Sequence, residues 1–511
     1  MPSYQTASGA VSRITPGMRA AGVLLALAGL AWGCARAEAT DMAESRPPSG
    51  LASKAHRWMD AWGIGPPRFD PLPILRSPDA RLDAGRAMSL LNAWKAAQVN
   101  DPTLRAARAA HAAGLERLPQ AEAQLRPQVQ LVAVRNRNEV DRQTLDFLGS
   151  PQSVMERYQS VNDTLTIRHP LVREPLRAQR RLAAHVVQES SALLLREEQA
   201  MAVRLTGAFL EALLARDQLA LIGIQQGFLK TQLRAASLGL EKGTGTRIDV
   251  DETQARLDLN LAQEVEARQQ WEVALRQLEA FVGQPVSDLP QLDPSRLDLA
   301  LNERTALEQW IVEALRSNPD LTVLTARREQ AREEVSKARS SHLPTLDLVA
   351  QVQRSRSEIV SSPQTGYTSS SLGLQLTVPL YNGGYISSQE RQAVAEFERA
   401  GEQLEAARRD IAVRVHKEYK GVTEGLPRIR ALEVALRSSD IAVDSARKGV
   451  VAGTRTVVDV LNAEQQRQQV LRSLAQARYV TLLSRMRLES LLGRVDADFI
   501  AALGAALEGS R

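Results

Sequence analysis

The sequence predicts a mostly α-helical chain with four membrane-type β-strands, arranged as two structural repeats. Each repeat carries a two-stranded β-hairpin and long coiled-coil-like helices. Composition is the first sign: aromatic residues are 4% of 511 and charged residues 24%, and Ala, Leu, Arg, Glu and Gln dominate, as in long helices. The second sign is internal duplication. The third is a set of runs with apolar residues at every second position, the mark of a half-buried strand.

The chain opens with Arg13 and Arg19 before an uncharged run, Ala20 to Trp32, and then Ala35-Arg36-Ala37. A basic start, a short apolar stretch and a small-x-small site predict a secretory signal over 1–37. Cys34 is the single cysteine, so no disulfide framework exists. Gly33 before it leaves lipidation of Cys34 as an alternative to removal with the signal. Residues 38–84, with PPRFDPLPILRSP, form an N-terminal extension. No later window is apolar enough for a transmembrane helix.

The two repeats, 85–283 and 303–495, are joined by a Pro-bearing connector, 284–302, and followed by a tail, 496–511. Pro102 pairs with Pro319 and Pro127 with Pro344, both at an offset of 217. Gly243 pairs with Gly453, Asp249 with Asp459 and Gly283 with Gly493, all at 210. Preserved order with little drift marks a duplication.

Strands are expected at about 128–138, 160–169, 345–355 and 368–378. The clearest alternations are Leu346, Leu348, Ala350 and Val352, then Leu372, Leu374, Leu376 and Val378. A long proline-free helix follows, Leu176 to Lys242, with Leu210, Leu214, Leu221, Ile224 and Phe228 as a coiled-coil-like stripe. Its counterpart shows Ile411, Val415, Tyr419 and Val422, and Pro427 should kink or interrupt it. Each long helix ends at a glycine turn, at 243–249 and 453–459.

Four strands cannot close a barrel, and open sheet edges are not tolerated in a bilayer. The strands therefore pack on a soluble core or combine between chains. The secretory signal and the long helical body favour combination. Three chains would give twelve strands, enough for a pore, with leucines facing lipid and Thr, Ser and Gln facing the lumen.

The stretch GTRTVVDVLNAE, Gly453 to Glu464, with Ala475-Gln476-Ala477-Arg478-Tyr479, Leu491-Leu492-Gly493 and PLYNGG at Pro379 to Gly384, resembles the TolC family of trimeric outer-membrane channel-tunnels. The resemblance spans roughly residues 85–495, excludes the extension, and looks most like the type I secretion branch. It implies a homotrimer with a 12-stranded β-barrel and a periplasmic α-helical tunnel. It also implies residence in the outer membrane of a Gram-negative bacterium, amid its lipid, extending into the periplasm. The implied partners are a periplasmic adaptor and an inner-membrane ABC transporter or proton-driven pump. The implied role is an exit duct for a protein such as an RTX toxin, haemolysin or adhesin. The alternatives are a multidrug efflux duct and, in another class, a soluble periplasmic coiled-coil adaptor or scaffold.

The resemblance places both glycine turns at the periplasmic tip, where helices taper to close the entrance. It implies that Arg455 bridges to Asp249 of a neighbouring chain, and that Asp459 forms an aspartate ring at the entrance. Arg247 lies close enough in sequence to compete for Asp249, though residues two apart on a helix do not face each other. Asp459 also sits where a helix N-terminus favours a carboxylate. Asn462 stands where the family's namesake carries a second aspartate ring, and Val450 where it has a locking tyrosine, so a less acidic constriction and a weaker lock are expected. Gly243 and Gly453 would expose backbone to the adaptor; simple helix capping explains them equally.

No HExxH, GxSxG or phosphate-binding GxxxxGK occurs, and the six histidines lack metal-ligand spacing. The expectation is neither an enzyme nor a holder of cofactor or metal. Lys+Arg (64) and Asp+Glu (59) are interspersed, which reads as solvated helix faces and not as a nucleic-acid surface.

Overall fold

Pro127 and Pro344 each end a helical stretch and open a strand, as a residue without a backbone N–H should. In the computed structural model, which describes residues 88–145, 149–286, 288–290, 306–359 and 362–507, the repeat is visible in the element order. The first half runs α1 (Leu90–Asn100), α2 (Pro102–Leu115), α3 (Arg117–Ala123), β1 (Gln128–Leu145), β2 (Pro151–Val172), α4 (Glu174–Glu241) and α5 (Arg247–Val282). The second runs α6 (Leu307–Ser317), α7 (Pro319–Ser340), β3 (Thr345–Ile359), β4 (Ser362–Thr377), α8 (Tyr385–Thr423), α9 (Gly425–Val451), α10 (Val457–Leu491) and α11 (Ala497–Leu507). The expected signal, 1–37, the extension, 38–84, and most of the connector, 284–302, lie outside the described residues.

The chain divides into two units. One comprises Gln128–Arg168 and Leu348–Leu374 among its described residues, and holds most of the strands. The strands form one sheet in the order β1-β2-β3-β4, which leaves β1 and β4 as edges. β1 and β2 are antiparallel, with Val129 opposite Ile167 and Leu131 opposite Leu165, so these apolar residues share a face. Leu131 is 68% exposed and Leu372 on β4 is 72% exposed, which is an apolar sheet face open on the isolated chain.

The strands outrun the expected bounds. β1 has 18 residues and β2 has 22, whereas a bilayer needs about ten. β2 starts at Pro151, ahead of the expected start at about 160, and β3 and β4 likewise extend to Ile359 and from Ser362. The cause is pairing that outlasts the apolar alternation. Arg157 meets Glu139 at 2.8 Å, Arg135 meets Asp163 at 2.7 Å, and the Ser153 hydroxyl donates to Asp141. Backbone hydrogen bonds and cross-strand charge pairs hold a hairpin without an apolar face.

The second unit holds the helices. α2 and α7 start alike: Asp101 and Asn318 cap them, each just before a proline in the first turn. α4 runs 68 residues without interruption. Its core face carries Met201, Leu205, Phe209 and Leu213, all fully buried. Lower down, buried Ile222, Leu229 and Ala236 recur at seven-residue spacing. Ile224, expected in the stripe, is 62% exposed; the buried line runs beside it. In the second half Ile411, Val415 and Val422 are buried as expected. The interruption foreseen at Pro427 falls at Glu424, where α8 gives way to α9. A proline cannot donate to the carbonyl four residues back, so the break comes just before it.

Residues 496–511, expected only as a tail, include a helix with a structural role. Ile500, Leu503 and Leu507 of α11 are buried in the same core as Leu90 of α1 and Met486 of α10.

Candidate functional site

Two helical reversals, α4 to α5 and α9 to α10, are built alike. Gly243 and Gly453 both adopt φ 72°, the left-handed conformation that costs glycine least. In the first turn the N–H groups of Thr244 and Gly245 donate to the Gly239 carbonyl at 2.8 and 3.0 Å. In the second those of Thr454 and Arg455 donate to Gly449 at 2.9 and 3.2 Å. These bonds satisfy carbonyls that a helix end otherwise leaves without partners.

Each returning helix opens on a reciprocal capping box. The Asp249 N–H donates to Thr246 Oγ1 at 3.2 Å, and the Thr246 N–H donates to Asp249 Oδ2 at 3.1 Å. Thr456 and Asp459 repeat this at 3.3 and 2.8 Å. The Thr-x-x-Asp spacing is a variant of the familiar Ser/Thr-x-x-Glu box. The Thr456 backbone N–H, then its hydroxyl, then the weaker pull of the Arg455 charge hold Asp459 below the ordinary carboxylate value. Asp249 and Asp459 are therefore both engaged in capping within the chain.

The turns differ in their arginines. Arg247 pairs with Asp251, four residues on, at 3.0 Å, and not with Asp249. Arg455 is exposed, and its stem lies over Gly449: a Cβ there would come within 2.9 Å of Arg455 Cγ. Gly245 occupies the matching place in the first turn, where a Cβ would lie 3.1 Å from the Gly239–Leu240 backbone. A side chain there would press on that backbone, which would have to give by a few tenths of an ångström.

Asn462, on the exposed side of α10, accepts a hydrogen bond from Arg256 Nη2 of α5 at 2.8 Å. The same Arg256 nitrogen bonds Glu252 at 2.7 Å. Sequence reasoning singled out Asn462 but missed Arg256. Its only local signal is the four-residue spacing to Glu252, an ordinary helix pair.

Duplicated halves, a four-stranded sheet with two unpaired edges, and long helices reversing at paired capped turns define a channel-tunnel subunit. The chain belongs to the outer membrane efflux protein family, whose model matches residues 93–284 and 310–494, and with it to the TolC-like channels that its motifs resemble. It is 30% identical to the proteases secretion protein PrtF of Dickeya chrysanthemi, over 83% of this chain and 92% of the relative. It is 32% identical to the alkaline protease secretion protein AprF of Pseudomonas aeruginosa, over 81% of this chain and 87% of the relative. The crystal structure of the outer membrane protein VceC of Vibrio cholerae shares the fold, with a TM-score of 0.67 at 18% identity, over 79% of this chain and 96% of that one. The fold is that of the trimeric channel-tunnels, which span the outer membrane and reach into the periplasm.

Proposed function

We propose that this chain is the outer-membrane exit duct of a type I secretion system that exports a protein. The similarity to PrtF and AprF, both protease secretion proteins, over more than four fifths of the chain carries this reading. Three copies supply twelve strands and so remove the open edges of β1 and β4, which one chain leaves unpaired. A periplasmic adaptor and an inner-membrane ABC transporter complete the pathway. The cargo is a secreted protein of the protease or RTX-toxin kind.

The paired turns act as the periplasmic gate. Arg455 has an exposed guanidinium and reaches Asp249 of the neighbouring chain. Asp249 still has Oδ1 free for a second bond, because its capping bonds use Oδ2. Asp459 faces the entrance as one member of a ring of three, Asn462 dilutes the charge below it, and Gly243 and Gly453 offer backbone to the adaptor. The deciding experiment deletes this gene and measures release of the protein encoded beside the ABC exporter. Loss of the protein from the medium, with unchanged resistance to small toxic compounds, is the expected result. Unchanged secretion together with lost resistance would overturn the reading in favour of drug efflux.

A further inference from the structure

Resting on the exit-duct reading, we infer that a basic cavity at the joint between α10 and α7 opens on the tunnel and binds carboxylate side chains of the polypeptide in transit.

Four helices meet at this cavity. α10 ends at Leu491 and α7 begins at Pro319, and both pack against α4 and α8. The Asn318 side chain donates to the Leu491 carbonyl at 2.7 Å and so ties the two helix ends together. Beside this joint lies a cavity of about 610 Å³. Arg196 and Arg204 of α4, Arg414 and Lys417 of α8, and Arg487 of α10 line it. The carboxylates on its wall are Asp320 and Glu418, so cations are in excess there.

The cations differ in how they are held. Arg204 meets Glu197 at 2.6 Å and Arg414 meets Asp410 at 2.6 Å, so carboxylates from outside the cavity engage these two. Arg196 lies 3.7 Å from Asp320, and Arg487 lies 4.0 Å from Glu418, both beyond hydrogen-bond reach. Lys417 is exposed and, among the described residues, pairs with no carboxylate. Arg196, Lys417 and Arg487 therefore keep donors for an incoming group, and a guanidinium matches a carboxylate with two parallel bonds. The start of α7 is not what holds the anion: Asn318 Oδ1 accepts from the Asp320 and Leu321 N–H groups at 2.8 and 3.2 Å.

Packing sets the direction in which the cavity opens. On α4, Leu205 is buried in the core shared with Leu90 of α1 and Ile500 of α11. Ala200 on the cavity wall lies about 140° round the helix from Leu205. On α10, Arg487 stands in the same relation to Leu482, which is buried in that same core. The cavity thus opens on the face of the helical wall opposite α1 and α11. Three such lobes would fill a tunnel, so they stand outside it and the cavity faces in. Three chains repeat the cavity at one level. From Arg204 to the end of α4 at Glu241 is about 55 Å, which sets the cavity far from the glycine turns. The relatives PrtF and AprF serve protease secretion, so the passing anion is a protein carboxylate. Exposed ion pairs are individually weak. An acidic segment is therefore held loosely against the wall and released without stalling.

Two measurements on the purified full-length protein test this: binding of a fluorescent polyglutamate peptide, and block of the current in planar bilayers by the same peptide. The variants are Lys417→Gln, Arg487→Gln and the two together. Arg409→Gln, at an exposed arginine of α8 outside the cavity, is the control. Each single cavity change should weaken binding about threefold and the double variant about tenfold, as expected for exposed ion pairs. The peptide should block the unaltered protein and the Arg409→Gln control, and block the double variant far less. Lys417→Arg keeps the charge and should bind as the unaltered protein does, which separates loss of charge from misfolding. Unchanged binding in the double variant, or an equal loss in Arg409→Gln, would overturn the site. Binding without block would show that the cavity does not open on the tunnel, and would overturn it too. Binding of pyrophosphate at these residues, with none of polyglutamate, would overturn the carboxylate class. Neither measurement involves secretion. If deleting the gene stops release of the cargo while the double variant binds polyglutamate normally, the duct reading stands and this site falls. If deletion leaves release unchanged, the duct reading falls, and the assignment of cargo carboxylates to the cavity falls with it.

Discussion

Thr456 and Asp459 cap each other: the Thr456 N–H donates to Asp459 Oδ2 at 2.8 Å while the Asp459 N–H donates to Thr456 Oγ1 at 3.3 Å. The second glycine turn therefore ends in a helix start that is closed from both sides. Its twin, Thr246 with Asp249, is closed the same way. A gate built on such turns can swing without its helix ends fraying.

The capping box titrates, and the sign follows from the shift. Asp459 is held below the ordinary value of 3.8. A carboxyl whose folded-state value is depressed stabilises the fold above its unfolded value and loses that contribution as pH falls through the folded one. Protection of the Thr456 amide against hydrogen exchange should therefore stay constant down to pH 3.8 and fall only below it. Loss of protection well above that pH would show that the carboxylate does not hold this amide.

Arg455→Ala should raise the conductance of the isolated channel, because it removes the proposed link to the neighbour and leaves both capping boxes intact. Asp249→Ala should do the same and should also loosen the start of α5, since it removes the N3 carboxylate that accepts from the Thr246 N–H. Planar-bilayer recordings of both variants check this. Unchanged conductance for the pair would remove the lock assignment.

Asp459→Ala should reduce block of the channel by multivalent cations, because it removes the three carboxylates of the proposed entrance ring. Thr456→Ala, which disturbs the same cap but keeps the charge, should leave block nearly unaltered. Equal effects of the two changes would mean that capping, and not a charged ring, governs block.

Ile500→Ala should destabilise the helical unit by about 2–5 kcal/mol, the usual cost of emptying a filled core position. Ile500 is 0% exposed, packed in the core that α1 and α10 share. Thermal denaturation of the detergent-solubilised protein should show the drop. A change confined to a surface tail would leave the melting temperature alone.

Tertiary packing shifted the buried line of α4 from where periodicity put it. Spacing sets Leu221, Ile224 and Phe228 on one stripe, yet the buried residues are their neighbours Ile222 and Leu229, and Ile224 faces solvent. A stripe of helical spacing names a face only to within a residue, since adjacent faces of an apolar-rich helix score alike. The strands were legible where apolar residues alternate and not where charge pairs such as Arg157 with Glu139 sustain them.

The duplication, the long helices, the four strands and the two glycine turns were determined by sequence alone. Each depends on residues within a turn or two of one another, or on a pattern repeated along the chain. The bond from Arg256 to Asn462, the polar-lined cavity beside it and the burial of α11 against α1 were decided by tertiary structure. Their partners are far apart in the chain, and Arg256 and Asn462 alone are separated by 206 residues. No local preference encodes such a meeting; it exists only once two long helices have been brought side by side.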